Sequence, residues 1–521
     1  MIKRIEISVP PEELNNQNYI LKKTSSLLQI NNDNISAIIP IRRSIDARSR
    51  NVFYRINFEV YIDEKPKQEN NFIEYKPVNE NKKVLIIGFG PAGMFAALRL
   101  IELGIKPIII ERGKDVRNRR RDIRAIHQEH FVNADSNYCF GEGGAGTFSD
   151  GKLYTRSTKR GDVKKILSVL VQHGASKDIL IDSHPHIGSN KLPNIVQQIR
   201  ETIISCGGEI HFNSKVTDFI LKQNKMIGVV VNDNKEILAD SVILATGHSA
   251  RDIFYLLHKK NILIEPKPFS MGVRIEHPQK LIDEIQYHTN KKHENLPAAS
   301  YSIACNVEGR GVYSFCMCPG GIIVPASTSN DEIVVNGMSV SRRDSPFANS
   351  GLVVEITEKD YSIYDKYFPF NALQLQKEIE MKAYLMANNS QSAPAQRVTD
   401  FIKNKFSASL PKSSYISGLT PSNLNDLFPS YISERLKKSL IIFNSKMKGY
   451  YTEEAILVAP ESRTSSPVRI PRDKNSLMHI QIESLFPCGE GAGYAGGIVS
   501  AAIDGENVAN AVRQYLVVVC K

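Results

Sequence analysis

No apolar run in these 521 residues approaches the roughly 18 that a membrane-crossing helix needs. The opening, MIKRIEISVPPEE, lacks the apolar core of a secretory signal, so the expected location is the cytoplasm with no membrane partner. Cysteine is sparse. Cys139, Cys206, Cys305, Cys316, Cys318, Cys488 and Cys520 are odd in number and scattered, which fits reduced thiols better than a disulfide framework. Acidic residues fall short of basic ones, 55 against 66, for a net charge of +11. That balance is compatible with an anionic substrate, with nucleic acid, or simply with a positive surface on a chain rich in Lys, Asn and Ile. Hydrophobic content of 42% and charge of 23% are ordinary for a globular protein, and the length allows two or three domains with substantial cores.

Against these absences one stretch stands out, VLIIGFGPAGMFAALRLIELGIKPIIIERG, from Val84 to Gly113. Val84–Ile87 is a continuous apolar run, as expected of a parallel strand buried on both faces. Gly88, Gly90 and Gly93 follow at G-x-G-x-x-G spacing. The first permits a tight turn, the second lets backbone approach a pyrophosphate, and the third lets the next helix pack on the strand. The helix expected from Pro91 to Leu103 is apolar nearly all round, with Arg99 and Glu102 sharing one face, so it packs against a sheet. A second strand, Ile108–Ile110, ends in Glu111, about twenty residues past the glycines, where a carboxylate can accept both ribose hydroxyls of an adenosine. It would repel a 2′-phosphate there. Strand, glycines, helix, strand and acid in that order predict a dinucleotide site.

Residues 1–75 read as a small α+β domain, with strands Ile2–Val9, Asn34–Ile41 and Val52–Ile62 and a helix over Asn18–Leu28. The polar RRSIDARSR between the last two strands predicts a long hairpin with a basic tip, a solvated turn or a surface for RNA or substrate. Glu64–Lys82 is a linker. After Glu111 come Arg117, Arg119, Arg120, Arg121 and Arg124, expected as a solvated helix face or as charge compensation near a phosphate. The run NYCFGEGGAGTFSDGKL carries Gly141, Gly143, Gly144 and Gly146 and predicts a loop pressed against a flat or phosphorylated ligand. His184 and His186 straddle Pro185 in an extended segment, which puts both imidazoles on one side, available for substrate or proton transfer or held structurally. No third ligand at convincing spacing accompanies them, so no metal is expected.

Leu192–Cys206 reads as a helix, and strands are expected over Glu209–Asn213, Lys215–Leu221, Lys225–Asn232 and Glu236–Leu238. DSVILATG then returns the chain to the dinucleotide sheet. From 261 to 450 the segments SMGVRIEH, SYSIACNV, GVYSFCMCPGGIIVPAS and EIVVNGMSVSRR alternate between turn residues, which predicts an inserted, mostly antiparallel substrate domain. Phe370–Met386 and Ile432–Met447 are its expected helices. Cys316 and Cys318, two apart, share a strand face, too far apart to bridge without a kink; they read as buried strand cysteines, with a redox-active pair as the alternative. Arg274, Arg342, Arg343, Arg463 and Arg469 are candidate anchors for a carboxylate or phosphate. Near the end, strand Ser484–Pro487 leads into Gly489-Glu490-Gly491, and Gly493, Gly496 and Gly497 open a helix of small residues whose N-terminus suits an anion.

The glycine fingerprint with its terminal Glu, the internal ATG strand and the closing G-E-G…G-G helix are together similar to the FAD domain of glutathione-reductase-like flavoproteins. FGEGGAGTFSDGKL, SHPHIGSNKLP, CMCPGGIIVPAS, ESRTSSPVRI and PCGEGAGYAGGIVSAAIDG bring the chain closest to the bacterial FAD-dependent dehydrogenases also called NAD(FAD)-utilising dehydrogenases. The resemblance implies an α/β fold: a Rossmann-like FAD domain from 82–260 and 451–521, interrupted by the substrate domain. It also implies that Gly88, Gly90, Pro91, Ala92 and Gly93 hold the pyrophosphate of FAD, and Glu111 and Arg112 the adenosine. By the same resemblance Gly143, Gly144 and Gly146 lie near pyrophosphate or ring, Val216 bonds adenine, and Ala245, Thr246 and Gly247 flank the cofactor. Gly489 and Glu490 meet the ribitol, with Glu where Asp is common, and Gly496, Gly497 and Ile498 face the pyrimidine edge of the flavin. Unlike disulfide reductases, the chain has neither a second nucleotide-binding glycine unit nor a CxxxxC pair. NAD(P)H would therefore act only as a soluble reductant.

The expected function is an FAD-dependent oxidoreductase passing a hydride between flavin N5 and a small anionic molecule, with His184 or His186 as acid or base and Arg274 and Arg463 as anchors. The alternatives are an FAD-dependent tRNA-modifying enzyme and a flavin-bound sensor without turnover.

Overall fold

Alternation of apolar and polar residues in Phe53–Ile62 puts every second side chain inward, and this strand is the middle of a three-stranded antiparallel sheet between Ile2–Val9 and Ile35–Asp46. The structure, a computed structural model, describes residues 1–66, 72–155 and 159–519; Cys520 lies outside the described residues. The helix Gln17–Leu28 covers the sheet. The hairpin is present, but its strand runs through Arg42 and Arg43 to Asp46 rather than ending at Ile41. Arg43 pairs with Asp182 at 2.8 Å and exchanges backbone hydrogen bonds with Ile181 and Ser183, while Arg48 and, from the next strand, Arg55 pair with Asp46. Ile7, Val9, Tyr54 and Phe58 share one hydrophobic core with Met271, Val273 and Ile282. The N-terminal unit is thus docked on the antiparallel domain instead of standing apart.

Strand Asn79–Ile87 lies at the centre of a five-stranded parallel sheet ordered Leu485–Pro487, Ser241–Leu244, Asn79–Ile87, Ile105–Ile110, Glu209–His211. Continuous apolar strands of this kind must be covered on both faces. Helices Pro91–Glu102, Leu192–Ser205 and Ile498–Val519 share a core on one face, and the antiparallel sheet Val216–Lys222, Lys225–Val231, Lys235–Leu238 covers the other.

The second large sheet has seven strands in the order Ala304–Val307, Arg310–Cys318, Phe347–Ile356, Phe269–Pro278, Ile456–Glu461, Ala393–Arg397, Leu419–Pro421; only the last pair is parallel. Helices Asn371–Met386 and Ser430–Lys446 pack on it. Strand Ile456–Glu461 pairs with Phe269–Pro278, so the antiparallel domain continues past the boundary expected at 450. Among the described residues no helix is long and apolar enough to cross a membrane.

Candidate functional site

Strand Asn79–Ile87 delivers the chain into the turn at Gly88, whose φ of +99° suits glycine, and helix Pro91–Glu102 begins three residues later. A Cβ on Gly93 would stand 2.0 Å from the Gly88 carbonyl oxygen, so helix and strand end pack backbone to backbone. Gly90 is different: its nearest neighbour to an added Cβ is Gly144 Cα at 3.9 Å. Gly90 therefore faces open space beside the first helical turn, where Ala92 and Gly93 have amides without intrahelical acceptors.

Glu111 ends the next strand. Its carboxylate, 5% exposed, accepts the amides of Phe89 at 2.9 Å, Gly113 at 2.8 Å and Gly141 at 3.0 Å. Two of those donors reach Oε1 and one reaches Oε2, which keeps an acceptor position toward the cavity. Arg112 is fixed by Asp135 at 2.6 Å and Asp252 at 3.0 Å and lies over the Phe140 ring. The glycine loop is held from behind by Arg119. This fully buried guanidinium donates to the carbonyls of Asn137, Tyr138 and Glu142 at 2.7–2.8 Å. The solvated face expected for the arginine run holds for Arg117, Arg120, Arg121 and Arg124, all exposed, whereas Arg119 is buried and is the clamp.

These elements enclose a cavity of about 410 Å³, within the usual range for a ligand site. Gly88, Gly90, Pro91, Ala92, Glu111, Arg112, Gly144, Gly146 and Val216 line it. So do Ala245, Thr246, Gly247, Glu490, Gly496, Gly497 and Ile498. Gly93, Gly143 and Gly489 lie just behind the wall. Gly143 gives its amide to the Phe89 carbonyl at 2.8 Å, and a Cβ there would meet Thr147 Oγ1 at 1.9 Å. Gly489 donates to Asp504 at 2.8 Å and packs against Ala92. These three shape the turn; they do not face the cavity.

The expected catalytic residues fare less well. Arg274 is fully buried between sheet strands, with Glu461 at 2.9 Å and Asn349 at 2.8 Å, and cannot reach a substrate. Burial alone would lower its pKa, but Glu461 holds it above the ordinary value. His184 is exposed outside the cavity with its ring 4.9 Å from that of Tyr154. His186 is turned to the Ser341 carbonyl at 3.2 Å and does not line the cavity; burial and Arg343 lower its pKa. Arg463 does line it, but its guanidinium is committed to Glu332, Glu380 and Thr328.

Several lining residues carry chemistry that sequence reasoning missed. His248 stands directly after the Ala245-Thr246-Gly247 turn, its Nε2 3.9 Å from Glu490 Oε2. Burial, then Arg463, Arg251 and Lys267, bring its pKa down to about 3, so the imidazole is neutral. Burial raises the Glu490 carboxyl. Its position at the carboxyl end of a parallel strand, where ligands bind in such sheets, was the available signal. Lys152, Phe315, Cys316, Asn336 and Glu461 bring the antiparallel domain and the glycine loop together at one end. Among the described residues no group of three His, Cys, Asp or Glu could hold a metal ion.

FAD fits this cradle on the protein's own terms. Gly90, Gly496 and Gly497 each have no protein atom closer than 3.9 Å to where a Cβ would stand. Glu111 keeps an acceptor for a ribose hydroxyl. Thr246 Oγ1 is buried at the cavity wall without a partner.

Residues 82–254 match the family described as pyridine nucleotide-disulphide oxidoreductase, and residues 268–464 the family described as FAD-dependent protein, C-terminal domain-like. Residues 1–61 match a domain of unknown function. A Clostridium beijerinckii protein described as uncharacterized is 40% identical over 513 residues, 94% of this chain and 95% of its own. Thiamine thiazole synthase of Aeropyrum pernix is 26% identical across 32% of this chain and 55% of that protein. Among solved structures, CtdE in complex with FAD and a substrate aligns over 84% of each chain at 12% identity and a TM-score of 0.35, too remote to bear on the substrate here. The cradle and the near full-length relative lead to one conclusion: the chain belongs to the family of the Clostridium beijerinckii protein, a family of FAD-dependent oxidoreductases.

Proposed function

We propose that this chain passes a hydride between a small anionic substrate and its flavin, at the end of the cavity capped by the antiparallel domain. Bound FAD supplies a ring that accepts or gives two electrons. The observation that carries the reading is the continuity of one cavity from Gly88 and Gly90 to Phe315, Cys316 and Asn336.

Around that end the protein's own charges favour an anion. Arg463 and Arg251 are matched by Glu332 and Glu380. Asp150, however, serves two cations, Arg343 at 2.6 Å and Lys152 at 3.6 Å, which leaves one positive charge over. Lys152 lines the cavity at this end and replaces Arg274 as the anchor. His248, neutral and beside Glu490, is placed to take or give a proton in a site that the antiparallel domain shields from water.

The test is anaerobic bleaching of the purified yellow protein against a panel of small carboxylates and phosphates, with NADH and NADPH beside them. A substrate that bleaches wild type should do so with a raised half-saturating concentration in Lys152→Met. A panel that bleaches the two proteins equally at every concentration would refute the anchor.

A further inference from the structure

Cys316 interrupts strand Arg310–Cys318. Its φ is +46°, and pairing with Phe347–Ile356 slips between Phe315 and Cys318. A residue with a Cβ pays roughly 1 kcal/mol or more for that conformation, so its surroundings must impose it. Arg274 Nη2 donates to the Cys316 carbonyl at 2.6 Å, and the Cys318 thiol donates to the same oxygen at 3.3 Å. In a regular strand, side chains two residues apart stand about 7 Å from each other. Here the kink turns both sulfurs to one ammonium, with Lys152 Nζ 3.6 Å from each.

The two thiols differ. Cys316 is exposed and lines the cavity, whereas Cys318 is buried behind it. The neighbouring Cys318 thiol, then the charges of Lys152 and Arg274, hold the Cys316 thiol well below its ordinary pKa. The Cys316 sulfur beside it, then burial, push the Cys318 thiol up. An accessible thiolate with a protonated thiol behind it is the arrangement of an entering and a resolving cysteine. A second thiol at this place selects a disulfide over an electrophilic carbon, since a neighbouring thiol resolves a mixed disulfide and leaves a thioether untouched.

We propose that Cys316 and Cys318 are a redox-active thiol pair that carries two electrons from the reduced flavin to a small disulfide. The inference rests on FAD occupying the cavity, and it supplies the electron acceptor that the proposed function leaves open. The Cys316 thiolate attacks one sulfur of the external disulfide. A mixed disulfide forms, the substrate's S–S bond breaks, and the departing thiolate takes the Cys318 proton. Cys318 then attacks Cys316 Sγ, closing the internal disulfide and releasing the second half of the substrate as a thiolate. The internal disulfide then takes up two electrons and a proton, which a reduced flavin held in the cavity would supply, and opens to the Cys316 thiolate and the Cys318 thiol. The charge of Lys152 fits both states. It faces the thiolate when the pair is reduced and is free for an anionic substrate when the pair is oxidised.

The experiment uses the FAD-loaded protein and hydroxyethyl disulfide. Wild type should lose two thiols per chain, keep no adduct, and yield a peptide cross-linked between Cys316 and Cys318. Cys318→Ser should keep one adduct, on Cys316. Iodoacetamide near neutral pH should modify Cys316 at least about tenfold faster than Cys305, the difference expected for one unit of thiol pKa, and Lys152→Met should remove that advantage. Photoreduction of the flavin under argon should restore both thiols to cross-linked protein as the flavin absorbance recovers. A yellow protein whose Cys316 reacts no faster than Cys305, or in which wild type stops at the mixed disulfide, overturns this proposal alone. A colourless protein overturns the reading of the cavity itself.

Discussion

A Cβ atom on Gly93 would stand 2.0 Å from the carbonyl oxygen of Gly88. The helix and the strand end are therefore in backbone contact, and the first turn of the cradle depends on it. Gly93→Ala forces them apart. Overpacking of this kind costs on the order of 3 kcal/mol, and thermal unfolding should show a lowered midpoint together with weaker flavin retention.

Arg119 holds the glycine loop by its Asn137, Tyr138 and Glu142 carbonyls. Arg119→Met keeps most of the volume and leaves these acceptors without their donor. A buried unsatisfied group costs about 1–3 kcal/mol. The expected result is a destabilised protein in which limited proteolysis cuts first within residues 137–146.

On the proposed reading, His248 takes the acid or base role expected of His184 or His186. His248→Ala should slow substrate-driven flavin reduction by about 10²-fold, while His184→Ala and His186→Ala leave it within about twofold of wild type. With its pKa near 3, His248 contributes no inflection to the rate profile of wild type across about pH 5 to 8. Stopped-flow traces across that range check both statements.

Acid should loosen the protein through Glu332. Burial would raise this carboxyl, but Arg463 and Arg251 prevail and bring it from 4.5 down to about 2. A depressed carboxylate stabilises the fold fully above its ordinary value and loses that contribution as pH falls toward the folded one. The window is therefore pH 4.5 down to about 2, and the contribution is on the order of 3 kcal/mol. Urea titrations should find Glu332→Gln less stable than wild type at pH 7 and the gap narrowing through that window.

The first half of the FAD cradle was legible because each step has its own local signature: an apolar strand, glycines at fixed spacing, an apolar helix, a terminal acid. The arginine run was not read as a clamp, although the periodicity was there. Arg119 lies three residues after Val116 and four before Ile123, both buried, and so shares their face. Arg274 was misjudged because alternation suggests one exposed face, whereas strand Phe269–Pro278 lies inside the sheet with both faces covered. The kink at Cys316 has no local signal at all. It is imposed by Arg274, Glu461 and Lys152, which come from three distant stretches. The end of the antiparallel domain was set too early because no strand was expected over Ile456–Glu461, which pairs with Phe269–Pro278.

Gly90 gives the most direct test of the central claim, that FAD lies along the cavity from Gly88 to Ile498. Its backbone is not strained, at φ −81°, and the closest protein atom to an added Cβ is 3.9 Å away. Gly90→Val should fold like wild type and yet lose its cofactor, because the side chain occupies the space kept for the diphosphate. The measurement is flavin content per folded chain, by absorbance and mass after denaturation. One FAD per wild-type chain and close to none in Gly90→Val is the result expected; no flavin in wild type, or full flavin content in the variant, would contradict the account.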